Sequence, residues 1–421
     1  MTHAQARAGE ADVRAAAEAV TRQSYGKLVA LLAARMRDVA EAEDALSDAF
    51  AAALRDWPVN GIPAAPEAWL ITVARRKFVD AARRRRSSEV AADHLKLIAE
   101  EVEAGRKRDM TIPDERLALM FACAHPAIDP GVRAPLILQT VLGFDAATIA
   151  GAFLVSPATM SQRLVRAKSK IKQAGIPFRV PEGLELAERL ATVLEAIYAA
   201  YAEGWADPAG TETRRRDLAS EAIWLGRLVA SLLPDAPEAL ALLALMLYAE
   251  ARRHARRGAK GEFVPLTEQD PSRWDAAMVD EAEALLTRAN GVGDTGRYQL
   301  EAAVQSAHIA RRFSGRTDWA AIEALYGALL AISHSPVVAI NRAVAIAEAR
   351  GAALGLAALD QIADDARMAQ YQPYWAARAD LLARMGETAQ ARAAYQQAIG
   401  LEADPAVRRF LQDRCAALRA A

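Results

Sequence analysis

Ala42-Glu-Asp-Ala-Leu-Ser-Asp-Ala-Phe-Ala-Ala-Ala-Leu-Arg-Asp-Trp57, then Pro58-Val-Asn-Gly-Ile-Pro63, then Pro66-Glu-Ala-Trp-Leu-Ile-Thr-Val-Ala-Arg-Arg-Lys-Phe-Val-Asp-Ala-Ala-Arg-Arg-Arg-Arg86 is the stretch that decides the fold. Leu46, Phe50 and Leu54 recur at steps of four beside Glu41, Asp44 and Asp48, which predicts an amphipathic helix with an acidic outer face. In the second half Leu70, Val73, Ala74 and Phe78 turn inward, and seven of the residues from Arg75 to Arg86 are Arg or Lys. Such a cationic face is suited to phosphates. The segment between the two is rich in turn formers and reads as a loop.

Composition limits what the rest can be. The 421 residues suffice for two or three domains, and apolar residues make up 53% of them, much of that alanine. Alternating β-branched runs are lacking, so the expected fold is all-α. The net charge of −1 hides an asymmetry: Met1 to Val180 carry 26 Lys and Arg against 21 Asp and Glu, and the remainder 26 against 32. Nucleic-acid chemistry is therefore expected in the first part and protein contacts in the second.

Several function classes find no support. Cys123 and Cys415 lack CxxC spacing, and His254, His308 and His334 lack ligand spacing, so no metal or other cofactor is expected. No Gly-rich phosphate loop or nucleophile elbow is present, and the chain does not read as an enzyme. The longest apolar run, Ala239 to Ala249, falls far short of the roughly 20 residues that span a bilayer, and Met1 to Glu18 contain no apolar signal core. No membrane association and a cytoplasmic location are the expectation.

A second motif lies between Asp114 and Ala174. Asp145-Ala-Ala-Thr-Ile-Ala-Gly-Ala-Phe-Leu-Val-Ser156 leads into Pro157-Ala-Thr-Met-Ser-Gln-Arg-Leu-Val-Arg-Ala-Lys-Ser-Lys-Ile-Lys172. Asp145 and Ser156 are N-caps by residue type, and Pro157 suits a first helical position. Two helices joined by a short turn make a helix-turn-helix. On the second helix Met160, Leu164, Ala167 and Ile171 face inward, leaving Ala158, Thr159, Ser161, Gln162, Arg163, Val165, Arg166, Ser169 and Lys170 outward. Small and polar groups near the N-terminus suit base edges, and the later cations suit phosphates. Gln162 is matched to adenine and Arg166 to guanine, at about 1–3 kcal/mol of discrimination each.

The acidic helix, loop and basic helix, with Ala68-Trp-Leu70 and Val73-Ala-Arg-Arg-Lys-Phe-Val-Asp80, resemble region 2 of a sigma-70-type factor of the extracytoplasmic-function (ECF) group. Residues 13–86 would form that module, including Tyr25-Gly-Lys-Leu-Val29 near its start. Residues 87–113, with a weak helix over Val90 to Val102, would be a linker, and 114–174 resemble region 4. The resemblance implies that Asp44, Asp48, Phe50 and Leu54 dock on core RNA polymerase. It implies that the loop takes a flipped base, and that Asn60, Trp69, Arg75, Arg76, Lys77, Arg83 and Arg84 hold the −10 element of promoter DNA. Ala158, Thr159, Ser161, Gln162, Arg163, Arg166 and Lys170 would read the −35 element. Arg76 stands where such factors often carry Asn, which leaves the recognised base open, and Leu154 occupies a turn that often uses Gly.

From Gly183 to Ala421 the pattern is helical throughout. Trp375, Ala379, Leu382, Gly386, Ala391, Tyr395 and Ala398 match the small and large positions of a tetratricopeptide (TPR) repeat, and Ile340, Val344, Ala347 and Gly351 a degraded one. The resemblance is to ECF factors with a TPR-like extension over 183–421, which would take a protein or peptide partner. Trp205, Trp224, Trp274, Trp319 and Tyr326 read as core. Two other readings stay open: a helix-turn-helix regulator with a TPR sensor, and a TPR scaffold without a DNA role.

Overall fold

Helix caps set many of the boundaries in this all-α chain. The computed structural model describes residues 3–85, 115–153, 155–205, 213–291 and 295–418. Within them the only β-type pairing is an isolated bridge between Arg257 and Phe263. The linker at 87–113, its helix at Val90–Val102 and the turn residue Leu154 lie outside the described residues. The chain divides into two units, Met1–Ala200 and Tyr201–Ala421.

The first unit begins with α1 (His3–Met36), α2 (Val39–Asn60) and α3 (Pro66–Arg85), which pack pairwise. Asp38 caps α2 by accepting from the Glu41 amide at 3.1 Å. The buried stripe of α2 is Ala42, Ala45, Leu46, Ala49, Ala53 and Trp57. It meets Leu28 to Ala33 of α1 and Leu70, Ile71 and Ala74 of α3 in one core. Alanines dominate because closely approaching helices leave room for little else. The steps-of-four reading of α2 needs correction here: Leu46 is buried, but Phe50 is half-buried and Leu54 is 49% exposed. On α3, Val73 and Phe78 are likewise only half-buried.

The expected loop also starts later than Pro58. Helix α2 runs through that proline to Asn60, whose side-chain amide donates to Asp56 at 2.8 Å. The Gly61 amide closes the helix on the Trp57 carbonyl, at a φ of 83° that favours glycine. The proline is tolerated because the carbonyl it leaves without an amide donor belongs to the solvent-facing Leu54.

Helices α4 (Arg116–Cys123), α5 (Pro130–Leu142), α6 (Ala146–Ala152) and α7 (Pro157–Gln173) complete this unit with the first part of α8 (Gly183–Trp205). Both expected caps are present: Asp145 accepts from the Thr148 amide at 2.7 Å, and Ser156 from the Thr159 amide at 3.2 Å. Helix α5 crosses α1 very closely. A Cβ on Gly26 would lie 1.9 Å from the Val141 carbonyl oxygen, so only glycine permits the crossing.

In the second unit α9 (Thr213–Leu232) precedes α10 (Pro237–Ala251), where every residue from Ala239 to Tyr248 is buried. A helix apolar on all sides has to be a central one, and α10 packs against α9, α11 (Ala276–Asn290) and α12 (Arg297–Ile309). Then follow α13 (Trp319–Ser333), α14 (Pro336–Arg350), α15 (Ala352–Asp360), α16 (Gln372–Arg384), α17 (Thr388–Leu401) and α18 (Pro405–Ala417), with consecutive helices in contact from α13 onward. Ala379, Leu382, Ala391, Tyr395 and Ala398 share one cluster, with Gly386 at φ 80° in the turn.

His308 is buried on α12, edge-on to Trp319 at 5.4 Å. Burial, with Arg252 and Arg311 nearby, lowers its pKa from 6.5 to about 4. The unfolded chain therefore takes up this proton before the folded one does. Stability is expected to fall by up to about 3 kcal/mol as pH drops from 6.5 to 4. Urea midpoints followed by Trp fluorescence should show this decline, and His308→Asn should flatten it.

Candidate nucleic-acid and polymerase interface

Two opposed charge faces arise from the way α2 and α3 share their apolar sides. Trp57 and Trp69 meet edge to face, with centroids 5.6 Å apart and planes at 64°. Such a pair contributes about 1 kcal/mol beyond its buried area and fixes how the helices rotate. The Ser24 hydroxyl, bonded to the Glu67 carboxylate, ties α1 to the start of α3. With the helices so held, Asp44, Asp48 and Leu54 are exposed on α2, and Phe50 is half-buried beside them.

On α3, Arg76 is exposed and Arg75 and Lys77 are half-buried. Arg83 and Arg84 belong to its last turn, with side chains outside the described ones. Between the helices Val59, Asn60 and Ile62 stand exposed close in sequence to the half-buried Trp69. This arrangement offers carboxylates and apolar groups on one helix, cations on the next and a protruding loop between them.

Helix α7 has the sidedness its sequence predicts. Met160, Leu164, Ala167 and Ile171 are buried, whereas Ala158, Thr159, Ser161, Gln162, Arg163, Val165, Arg166, Ser169 and Lys170 are exposed. Pro157 opens the helix, and the exposed small and polar residues follow at once.

Spacing alone did not reveal how α7 is anchored. Lys168 is buried and forms an ion pair with Glu43, the two side chains being only 10% and 15% exposed. One turn on, Lys172 reaches Asp38 at 2.6 Å and Glu41 at 3.4 Å, and the bond to Asp38 raises its pKa. Burial raises the Glu43 pKa, opposed by the Lys168 charge. Tyr25 is pushed upward by burial and by Glu43, and its ring lies against Gly143 at the end of α5. Thus Tyr25-Gly26 of α1 and the acidic N-terminal end of α2 together seat the helix pair. The available signal was charge complementarity between residues about 125 positions apart, which no local period carries.

Comparison with known proteins agrees with the geometry. Residues 21–88 match sigma-70 region 2, and residues 189–290 match a family of unknown function (DUF6596). Over 370 residues the chain is 38% identical to an uncharacterised protein of Rhizobium meliloti (strain 1021), with 87% of each chain covered. No solved structure matches. The three-helix bundle is thus a sigma-70 region 2, the module of non-enzymatic transcription initiation factors that bind core RNA polymerase and promoter DNA. The chain belongs to the same family as the rhizobial protein and carries a sigma-70 region 2 domain near its N-terminus. Among the described residues, no helix is long and apolar enough to cross a membrane.

Breaking a buried ion pair from one side leaves an uncompensated charge, at a cost of about 3 kcal/mol. Lys168→Met should therefore destabilise the first unit by about that amount. Adding Glu43→Gln should recover most of the loss. Chemical denaturation of wild type, the two single variants and the double variant provides the double-mutant cycle.

Proposed function

We propose that this chain is an alternative sigma factor of the ECF type that directs promoter-specific transcription initiation. The observation that carries the reading is the outward acidic face of α2 beside the cationic face of α3, in one bundle with the exposed polar face of α7. Asp44 and Asp48, with Phe50 and Leu54, dock on core polymerase. Asn60, Trp69, Arg75, Arg76, Lys77, Arg83 and Arg84 hold the opened −10 element, and the loop accepts a flipped base. Helix α7 is the recognition helix of a region 4, reading the −35 element through Ala158, Thr159, Ser161, Gln162, Arg163, Arg166 and Lys170.

The seating of α7 adds a condition to this reading. Elements about 25 base pairs apart are separated by roughly 85 Å along B-DNA. Helix α7 held to α2 by Lys168 and Lys172 does not span that length, so the pair with Glu43 opens when both elements are engaged. Residues 183–421 form a TPR-like extension that binds a protein or peptide and regulates the sigma module, a role its acidic balance and repeat spacing support.

Run-off transcription from purified core polymerase tests the assignment directly. Wild type should yield promoter-specific transcripts, and Asp48→Arg should lose core affinity by tenfold or more through charge reversal. Undiminished affinity would remove the docking role from α2. Gln162→Ala should relax preference at one base pair, a change of about 1–3 kcal/mol. Lys170→Ala should instead weaken all promoters alike and reduce the salt slope by about one. Binding to duplex DNA without core, together with no transcript, would point to an ordinary regulator.

A further inference from the structure

The second unit, whose sequence is acidic overall, gathers guanidinium groups that its carboxylates do not match. Between α10 and α11 run Arg252-Arg-His-Ala-Arg-Arg257, with Arg273 bonded to the same segment and Arg311, bonded to Thr267 and Gln269, close enough to Arg252 to act on its charge. Two of these arginines have carboxylate partners: Arg253 bonds Glu250 through two nitrogens at 2.6 and 2.8 Å, and Arg257 pairs with Asp404. Arg252, Arg256, Arg273 and Arg311 form no ion pair among the described residues. Their bonds go to neutral oxygens instead.

Arg252 is 7% exposed and donates to the Tyr248 carbonyl at 3.2 Å and to the Gln305 side chain. Arg256 donates to the Trp205 carbonyl at 3.1 Å and lies over the Trp205 ring at 4.2 Å, with Tyr201 stacked against that indole at 5.9 Å. Arg273 donates to the carbonyls of Arg257 and His254 at 2.9 and 2.5 Å. Arg311 donates to those of Thr267 and Gln269 at 2.5 and 2.6 Å and covers Trp274 at 5.1 Å. Aromatic faces and carbonyl dipoles orient these cations without cancelling their charge.

The polar atoms left over point the same way. Arg257 Nε and Nη1, Arg311 Nε, Trp274 Nε1 and the Tyr201 hydroxyl are buried without a protein partner. All of them can donate, against one unpartnered acceptor, Gln269 Oε1, so the deficit is mainly one of acceptors. Burial, and for Arg256 the other guanidiniums, lower Arg252 and Arg256 to about 10, the direction expected where counter-charge is missing.

We propose that this cluster is a binding site for the phosphate group of a small molecule, with Arg252, Arg256, Arg273 and Arg311 supplying the charge. Planar guanidinium forks match phosphate oxygens, and several of them together favour a multiply charged oxyanion over a single carboxylate. Arg252 forms the buried floor, while the half-exposed Arg256 and the exposed Arg273 open the site to solvent. The partial burial fits one phosphate group better than a polymer, whose backbone needs an exposed track of cations. The inference does not depend on the sigma-factor reading, because it concerns residues remote from α2, α3 and α7 in sequence.

Isothermal titration calorimetry on the full chain tests it, with inorganic phosphate, phosphoserine and acetate as separate titrants at constant ionic strength. Inorganic phosphate should bind saturably and acetate should not. Tighter binding of phosphoserine would identify a phosphate ester as the natural source, whereas equal or weaker binding would identify free phosphate. Arg256→Gln should weaken phosphate at least tenfold with the helical circular dichroism unchanged. Arg273→Gln, at an exposed position, should weaken it several-fold even if the first variant fails to fold. No saturable phosphate binding, acetate binding as tight as phosphate, or an Arg273→Gln variant that binds like wild type would overturn the site.

Discussion

The contact of α2 with α3 is the constraint on which the functional surfaces depend. Each helix has a narrow apolar stripe to bury, and Trp57 against Trp69 fixes the rotation at which they do so. At that rotation carboxylates and guanidiniums both emerge into solvent. Had the charged sides faced each other, they would have neutralised one another and left neither for a partner. The aromatic contact thus keeps the acidic and basic chemistry of region 2 separately available.

The helix pair seated on this bundle is held by a different kind of contact. Gly26 lets the α5 backbone approach α1, and the hydrophobic side of α7 covers its own unit's core. What secures α7 to α2 is polar: Lys168 with Glu43, and Lys172 with Asp38 and Glu41. Polar contacts of this sort are specific in register, and their net contribution is modest because desolvation offsets much of the attraction. That combination suits a contact that is fixed in geometry without being costly to separate.

Local chemistry made much of the fold legible. Asp145, Ser156 and Pro157 announce the starts of α6 and α7, and the inward set Met160, Leu164, Ala167 and Ile171 follows directly from helical spacing. The exposed face of α7 was readable for the same reason. Spacing misled on α2, where Leu54 looks like core but the alanines one step round take that role, since close helix packing selects small residues over large ones. Pro58 looked like a stop signal, but a helix facing solvent can continue past it to Asn60. Lys168 and Glu43, and the arginines around Trp205, were invisible because their meaning lies in partners distant along the chain. For the residues proposed to read the −35 element, sequence and geometry agree on exposure, whereas of the −10 set Asn60 and Arg76 are exposed and Trp69, Arg75 and Lys77 half-buried; the assignment of both sets to promoter DNA comes from the sigma-70 likeness.

The most direct measurement is chemical footprinting of the intact protein, first with core polymerase and then with a promoter opened at its −10 element. Carboxylate-selective labelling reports on Asp44 and Asp48, and guanidinium-selective labelling reports on Arg76. If the two faces serve separate partners, polymerase alone should protect the aspartates, and Arg76 should become protected only when the opened promoter is added. Equal labelling of Asp44 and Asp48 with and without polymerase, or loss of Arg76 labelling from polymerase alone with no further change on DNA, would contradict the division of labour between α2 and α3.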